Sequence, residues 1–244
     1  MTESLAGRVA LVTGGSGGIG RALVSRLAAA GSHVAIGYQK RRDAAETAAE
    51  DARSAGVRAV TFQADLTDPA SALGAVERVE GDLGPIDILL PNAGLGVQAD
   101  LDRVDTDLWR RTHAVNLESP FVLARRLTPP MAERGWGRVL FTSSVAAYTG
   151  GLVGPHYASS KAGLQGLVGW FARHFADRGV TVNAIAPALI GDTAMLPTGP
   201  DDKAPTPVGR YGRPEEIADL AMAMLANGYL TGKTYLVDGG MYPR

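Results

Sequence analysis

Tyr157 and Lys161 stand four residues apart in a segment whose apolar residues follow a helical spacing. Residues at this spacing lie on one face of a helix. An ammonium beside a phenol favours the phenolate, so we expect the lysine to lower the tyrosine pKa from its usual value of about 10. A phenol tuned in this way can donate and accept a proton near neutral pH. Such a pair also occurs by chance in many helices, so it needs support from other residues.

Ser144 and Asn116 supply that support. Ser144 follows the apolar run Val139–Phe141, and its hydroxyl can either donate to a carbonyl oxygen or complete a turn. Asn116 interrupts an apolar helical face, where a buried amide needs a partner; it can kink the helix and hold a water, or be a satisfied core residue. Because ligands bind at the carboxyl edge of a parallel sheet, we expect Ser144 and Tyr157 to meet there.

A glycine-rich segment, Thr13–Gly20, joins the first predicted strand to a helical pattern. Glycine lets the backbone turn sharply and approach a ligand closely. The free N–H groups and the positive dipole end of the following helix favour a phosphate. A strand before the segment and a helix after it distinguish it from an ordinary glycine turn, so the sequence predicts a dinucleotide site.

The end of the second predicted strand indicates which dinucleotide binds. An NADH site usually has an acidic residue there that accepts from the ribose hydroxyls. This chain has Tyr38, Gln39, Lys40 and Arg41 instead. Cations favour a 2′-phosphate, although they can also be solvated residues at a helix start. The sequence therefore predicts NADPH, with NADH as the less favoured cofactor.

Two further strand ends contribute candidate cofactor contacts. Asp65, followed by Leu66, can accept from an adenine amino group or cap the next turn. The segment Asn92–Gly94 consists of small residues that leave room for a ligand in the crevice of the sheet.

Short apolar runs alternate with longer helical patterns about six times. This alternation predicts an α/β fold, a Rossmann-type doubly wound parallel sheet of about seven strands with helices on both faces. The predicted strands are Val9–Val12, Val34–Ile36, Val57–Phe62, Ile86–Leu90, Val139–Phe141, Val180–Ile185 and Thr234–Val237. We expect one domain over residues 1–244, with a proline-rich substrate loop at about 188–209.

The composition gives no support to several other classes of protein. The chain has 244 residues and a net charge of −1, so no global field attracts nucleic acid or an anionic membrane. Without cysteine there are no thiolate ligands or cysteine nucleophiles, and four scattered histidines form no metal-binding pattern. Neither a signal-peptide pattern nor an apolar run of about 18 residues is present, so we expect a cytoplasmic protein.

Taken together, these motifs resemble the short-chain dehydrogenase/reductase family. The resemblance extends from Gly7–Gly14 to Val237–Gly240 and includes the segment Arg213–Ile217. Ser144 precedes Tyr157 by thirteen residues, a spacing that resembles the 3-oxoacyl-carrier-protein reductase branch.

The resemblance implies a role for each residue of the set. Tyr157 protonates a carbonyl oxygen as hydride arrives from the nicotinamide, Lys161 lowers its pKa and holds the ribose, Ser144 polarises the carbonyl, and Asn116 anchors a water. The implied cofactor contacts are Gly14, Ser16, Gly17, Gly18, Ile19, Gly20, Tyr38, Gln39, Lys40, Arg41, Asp65, Leu66, Asn92, Ala93, Gly94, Tyr157, Lys161, Pro187 and Ile190.

Three positions depart from the family pattern. Pro91 replaces an asparagine and removes one N–H, although we expect the turn to survive. Ala188 replaces a glycine; because alanine tolerates positive φ poorly, we expect the backbone there to differ. Thr193 lies one residue late, so a backbone contact from Ile190 is the expected one. The proline-rich loop favours a tailoring ketoreductase over an enzyme of fatty-acid synthesis.

The expected function is therefore NADPH-dependent reduction of a ketone, of the 3-oxoacyl or polyketide type, with a small-molecule substrate that a carrier can hold. The alternatives are an alcohol, sugar or steroid dehydrogenase using the same residues, and a non-catalytic NADPH-sensing protein. The resemblance also implies a homotetramer or homodimer paired through Leu108–Met131 and Pro155–Phe175. Phe121, Leu123, Trp170 and Phe171 can serve that interface or the core of the monomer.

Overall fold

The computed structural model describes residues 3–197 and 202–243. Seven parallel strands form one sheet in the order β3-β2-β1-β4-β5-β6-β7. The strands are β1 (Val9–Thr13), β2 (His33–Tyr38), β3 (Ala59–Gln63), β4 (Ile88–Pro91), β5 (Gly137–Thr142), β6 (Val180–Pro187) and β7 (Thr234–Val237). The prediction of a doubly wound parallel sheet is confirmed, and each predicted strand has its counterpart.

Eight α-helices connect and cover the strands in the described ranges. They are α1 (Gly18–Ala29), α2 (Arg42–Ser54), α3 (Pro69–Leu83), α4 (Thr106–His113), α5 (Ser119–Glu133), α6 (Ala146–Thr149), α7 (Pro155–Phe175) and α8 (Pro214–Leu225). Helices α3, α5 and α7 pack on one face of the sheet, and α1, α2 and α8 pack on the other. None of the helices within residues 3–197 and 202–243 is long and apolar enough to cross a membrane.

The strands are mainly apolar because both faces of the sheet are covered. All five residues of β1 and all eight of β6 are buried. Helices bury only one stripe, as α3 does with Ala72, Val76 and Val79. The alternation of mainly apolar runs with striped segments therefore follows directly from this layer order.

The order of the strands reverses at β1, which lies between β2 and β4. Chain connections leave β1 and β4 toward opposite faces of the sheet, and a crevice opens between their carboxyl ends. Thr13 at the end of β1 pairs with Pro91 at the end of β4. The residues that follow each strand are therefore brought to the same crevice.

Arg138 anchors the opposite, amino-terminal edge of β5. Its side chain is 1% exposed and donates to the carbonyl oxygens of Leu225 at 2.9 Å, Gly137 at 2.7 Å and Gly179 at 3.2 Å. The carboxylate of Glu3 forms an ion pair with the same guanidinium. A buried guanidinium requires such acceptors, so the amino-terminal segment is tied to the core.

The proline-rich stretch 188–209 contains no helix or named strand in its described part, as predicted; residues 198–201, with Pro200, lie outside it. Beyond this stretch, Glu216 at the start of α8 holds the chain in place. Its carboxylate accepts two hydrogen bonds from Arg210, at 2.6 and 3.0 Å, and one from the Arg213 backbone N–H at 2.8 Å. These bonds lower the pKa of Glu216 from its usual 4.5 to about 2.

This shift predicts a pH dependence of stability. The pKa of Glu216 is lower in the folded than in the unfolded chain, so its contribution is complete above pH 4.5 and is lost as the pH falls toward 2. Glu216→Gln should lower the melting temperature at pH 7, and the difference from the wild type should shrink steadily below pH 4.5. Glu215→Gln is the control, since it removes a neighbouring carboxylate. Equal pH profiles for wild type and Glu216→Gln would contradict this account.

Candidate active site

Two glycines of the segment Thr13–Gly20 lie where a larger residue does not fit. Gly14 has a φ of 65°, and a Cβ added to it would lie 2.9 Å from the Cα of Ala93. A Cβ added to Gly20 would lie 2.1 Å from the carbonyl oxygen of Gly14. The chain can therefore turn from β1 into α1 this tightly only because these positions lack side chains.

The start of α1 is arranged to receive an anion. Gly17 precedes the helix in an extended conformation; among the described residues no side chain caps the helix, and its first turn carries no acid. The first-turn amides and the positive dipole end therefore favour a phosphate. Ser16, Gly18 and Ile19, three of the predicted cofactor contacts, lie at this turn.

A cleft of about 550 Å³ lies beside the start of α1. It is lined by Gly18, Arg41, Asp192, Thr193, Ala194 and Pro197. The cleft joins the glycine turn to a cation at the end of β2, which is the combination that a phosphorylated dinucleotide requires. The residues present therefore fit a nicotinamide dinucleotide.

The turn after β4 is bonded to the end of β1. The hydroxyl of Thr13 accepts from the backbone N–H groups of Asn92 and Ala93, both at 3.1 Å. The Asn92 amide donates to the carbonyls of Thr13 at 3.2 Å and Gly14 at 3.3 Å. The turn survives Pro91, as predicted, because these bonds do not use the N–H that proline lacks.

Further predicted cofactor contacts follow β2 and β3, and they differ from one another in burial and in bonding. Tyr38 is half-buried against the core, whereas Gln39, Lys40 and Arg41 are exposed. Asp65 accepts from the backbone N–H of Thr67 at 2.9 Å and from its hydroxyl at 2.7 Å, which lowers the pKa of Asp65. Of its two predicted roles, the structure contains the turn cap.

Ser144 and Tyr157 meet at the carboxyl edge of the sheet. Both residues are buried, at 9% and 7% exposure, and the Ser144 hydroxyl lies close enough to the phenol to affect its pKa. Ser144 also accepts from the backbone N–H of Ala146 at 3.1 Å, which fixes its orientation. Burial raises the pKa of Tyr157, and the nearby Ser144 hydroxyl offsets only part of this effect.

Lys161 is buried next to this pair but does not lower the tyrosine pKa. Its Nζ donates to the carbonyl of Thr142 at 2.7 Å and lies 5.9 Å from the centre of the Tyr157 ring. The expected lowering of the Tyr157 pKa is therefore wrong for this state of the chain, because desolvation outweighs an ammonium that binds elsewhere. Burial also lowers the pKa of Lys161 itself, to about 8.

Asn116 lies in a π-helical turn, Ala114–Glu118, that interrupts the helix between α4 and α5. Its amide oxygen accepts from the backbone N–H of Leu95 at 2.8 Å, and its amide nitrogen donates to the Leu95 carbonyl and to Ser160, both at 3.0 Å. The helix is thus interrupted at this residue, as considered in the sequence analysis. Two of these bonds hold the loop after β4 to Asn116, and the third holds Asn116 to α7.

The segment after β6 follows the family pattern only in part. Pro187 ends the strand and Ile190 is buried, with its carbonyl accepting from the Thr193 hydroxyl at 3.2 Å. Ala188 does not adopt positive φ; in residues 3–197 and 202–243 Asp192, at 53°, is the one non-glycine residue that does. An aspartate tolerates this conformation better than most residues do.

Residues 8–204 match the short chain dehydrogenase family. The chain is a short-chain dehydrogenase/reductase. It is 37% identical over 244 residues to the 3-oxoacyl-(acyl-carrier-protein) reductase of Escherichia coli (strain K12), covering 97% of this chain and 98% of that protein. It is 35% identical over 243 residues to the acetoacetyl-CoA reductase of Rhizobium meliloti (strain 1021), covering 96% and 98% respectively.

A solved structure of the same family overlaps this one closely. The blue fluorescent protein from a metagenomic library, crystallised in complex with NADPH, has a TM-score of 0.90 and 36% identity, with 99% of this chain and 100% of that chain covered. The similarity covers almost the whole chain, so the glycine turn and the Ser144–Tyr157 pair both lie within the shared fold.

In this short-chain dehydrogenase/reductase His156 also organises the site. The side chain is fully buried, and its Nε2 lies 3.0 Å from the carbonyl oxygen of Val97, so the ring binds the loop after β4 to α7. Its position next to Tyr157 was the only signal in the sequence. The described ranges hold no group of three or more histidine or carboxylate side chains arranged to bind a metal ion.

Proposed function

We propose that this short-chain dehydrogenase/reductase is an NADPH-dependent carbonyl reductase, which converts a ketone into a secondary alcohol. The observation that carries the proposal is the pair of buried hydroxyl residues, Ser144 and Tyr157, which lie close together beside the buried Lys161. A binding protein without chemistry has no use for a proton donor, an orienting hydroxyl and a lysine in one dry crevice.

In the proposed mechanism the bound cofactor supplies hydride, and the side chains supply position and a proton. Ser144 and Tyr157 direct their hydroxyl hydrogens to the carbonyl oxygen of the ketone, and Tyr157 transfers its proton to that oxygen as the alcohol forms. The raised pKa of Tyr157 keeps the phenol protonated at neutral pH, which suits a proton donor in the direction of reduction.

Lys161 and Asn116 have supporting roles in this proposal. An ammonium has three donors, and the Thr142 carbonyl accepts one of them, so the side chain can also bind a ribose hydroxyl. With a pKa of about 8, Lys161 is protonated in most molecules at pH 7. Asn116 keeps the loop after β4 against α7, and its amide is the proposed anchor of a water that returns protons to the site.

The substrate we favour is a 3-oxoacyl or polyketide-type ketone, free or bound to a carrier. The named relatives include a 3-oxoacyl-(acyl-carrier-protein) reductase and an acetoacetyl-CoA reductase. Val97 and Leu152, 47% and 81% exposed, lie on two loops that the Ala99–Val153 backbone bond joins, and they offer apolar surface to an acyl chain. An alcohol, sugar or steroid dehydrogenase is the alternative, distinguished by the substrate and the preferred direction.

NADPH is the proposed cofactor because Arg41 lines the same cleft as Gly18 at the start of α1. The end of β2 carries no carboxylate that would repel a 2′-phosphate. The solved relative that contains NADPH makes this choice consistent with the family.

We also propose that the enzyme assembles as a homotetramer or homodimer through α5 and α7. Trp170 and Phe121 are 53% and 38% exposed on these helices. Leu123 and Phe171, the other candidates, are only 2% and 4% exposed and belong to the core. Exposed aromatic rings on neighbouring helices are typical of surfaces that a second subunit covers.

The first test concerns the proton donor. Tyr157→Phe should lower kcat for reduction of a β-ketoester by about two to four orders of magnitude, because the ring is kept but the proton is lost. NADPH oxidation is followed by absorbance, and NADPH affinity is measured separately. Tyr229→Phe, at a residue that is 99% exposed, is the control. If the wild-type protein binds NADPH but reduces none of a broad panel of ketones, the result favours the alternative of a non-catalytic NADPH-sensing protein.

The second test concerns the cofactor. Arg41→Ala should raise the Kd for NADPH by about tenfold, equivalent to about 1.4 kcal/mol, because a charge-assisted contact with the 2′-phosphate is lost. The Kd for NADH is the internal control and should not change. A parallel loss of affinity for both cofactors would contradict the assignment of Arg41 to the 2′-phosphate.

The third test concerns assembly. Trp170→Glu should convert the wild-type oligomer into smaller species in sedimentation velocity, because a carboxylate cannot be buried unpaired in an apolar interface. Leu101→Glu, at a residue that is 80% exposed on another surface, should leave the oligomer intact. A wild-type protein that sediments as a single 25.4 kDa chain would refute the proposal.

A further inference from the structure

The tip of the Met195 side chain lies beside Gly96, on the loop that follows β4. A Cβ added to Gly96 would lie 2.4 Å from the Cε of Met195 and 3.0 Å from its Sδ, and 3.3 Å from Cε2 of Tyr157. The methionine tip and the edge of the tyrosine ring therefore flank the same point. This space is open to Met195 only because residue 96 has no side chain.

The segment that carries Met195 has a defined shape. Thr193 and Leu196 exchange backbone hydrogen bonds, both at 3.2 Å, and the Thr193 hydroxyl accepts from the Leu196 N–H at 3.1 Å. The same segment is seated on α1, because a Cβ on Gly18 would lie 2.4 Å from the Asp192 carbonyl oxygen. The backbone of Met195 is thus fixed while its flexible side chain extends toward Gly96.

The wall opposite Met195 is held more firmly. Leu95 is bonded twice to Asn116, the Val97 carbonyl is bonded to His156, and the Ala99 N–H donates to the Val153 carbonyl at 3.0 Å. A substrate that enters between the two walls therefore moves the methionine rather than the loop. Methionine suits such a position, since it has three rotatable bonds and a polarisable sulfur.

We propose that Met195 determines which ketones reach Tyr157. One of the two groups attached to the carbonyl carbon of the ketone lies beside Gly96, and the Met195 side chain limits the size of that group. The favoured substrates carry a small group, such as methyl, on that side. A bulky ring there requires Met195 to leave. This inference rests on the proposed carbonyl reductase activity and adds a specificity-determining residue to it.

The test compares two β-ketoesters that differ only in that group, ethyl acetoacetate with a methyl and ethyl benzoylacetate with a phenyl. Met195→Ala should raise kcat/KM for the phenyl ester relative to the methyl ester by about tenfold or more. The substitution removes several non-hydrogen atoms from the wall of the pocket, and changes of that size alter discrimination between two substrates by about this amount. Met195→Leu, which nearly conserves volume, should change the ratio less than about threefold.

Gly96→Ala provides a second, independent variant. Its Cβ competes with the tip of Met195, so kcat/KM for both esters should fall, and adding Met195→Ala should restore much of the loss. Such non-additivity marks two residues that share one space. Met241→Ala is the matched control, since Met241 is 39% exposed and Met195 is 42% exposed. Melting temperatures of all variants identify any that fail to fold.

The outcomes separate this inference from the proposed function. A ratio that Met195→Ala leaves unchanged, or that Met241→Ala shifts equally, overturns the inference while the reductase proposal stands. If wild type reduces neither ester, the proposed function fails for these substrates. The Kd of ethyl benzoylacetate for the NADPH-loaded protein, measured by calorimetry, then decides: tighter binding to Met195→Ala supports the inference, and an unchanged Kd overturns it.

Discussion

The close contact between the turns that follow β1 and β4 is the constraint on which the site depends. A Cβ on Gly14 would lie 2.9 Å from the Cα of Ala93, and the hydroxyl of Thr13 accepts from two amides of the β4 turn. Because the sheet reverses its order between these strands, both turns are adjacent by topology. The shape of the crevice is therefore set by backbone contacts before a ligand enters.

The polar side chains Lys161, Ser144 and Asn116 are buried in this crevice, and each has its own hydrogen-bond partner. Lys161 is bonded to a carbonyl at the end of β5, Ser144 to a backbone N–H, and Asn116 to both backbone groups of Leu95. An unpaired polar group in such a site would be costly. The same bonds orient the side chains, so the compensation for burial also serves to preorganise the chemistry.

The sequence could predict what depends on local pattern and on strand ends. Short apolar runs indicated the seven strands, and the meeting of Ser144 with Tyr157 followed from the parallel sheet. The acceptor of the Lys161 ammonium is a main-chain carbonyl, which no residue type reveals, so the direction of the Tyr157 pKa shift could not be anticipated. The burial of Leu123 and Phe171, and the fit of Met195 beside Gly96, depend on contacts between distant segments in the same way.

Arg138 gives the amino-terminal segment an importance that its position does not suggest. The guanidinium stays charged at any physiological pH, so a chain without the Glu3 carboxylate would keep an uncompensated cation inside β5. The other end of that strand carries Thr142, which holds Lys161. Among related chains, residues 3 and 138 are therefore expected to vary together. A substitution at either position is expected to destabilise the fold as a substitution in the core does.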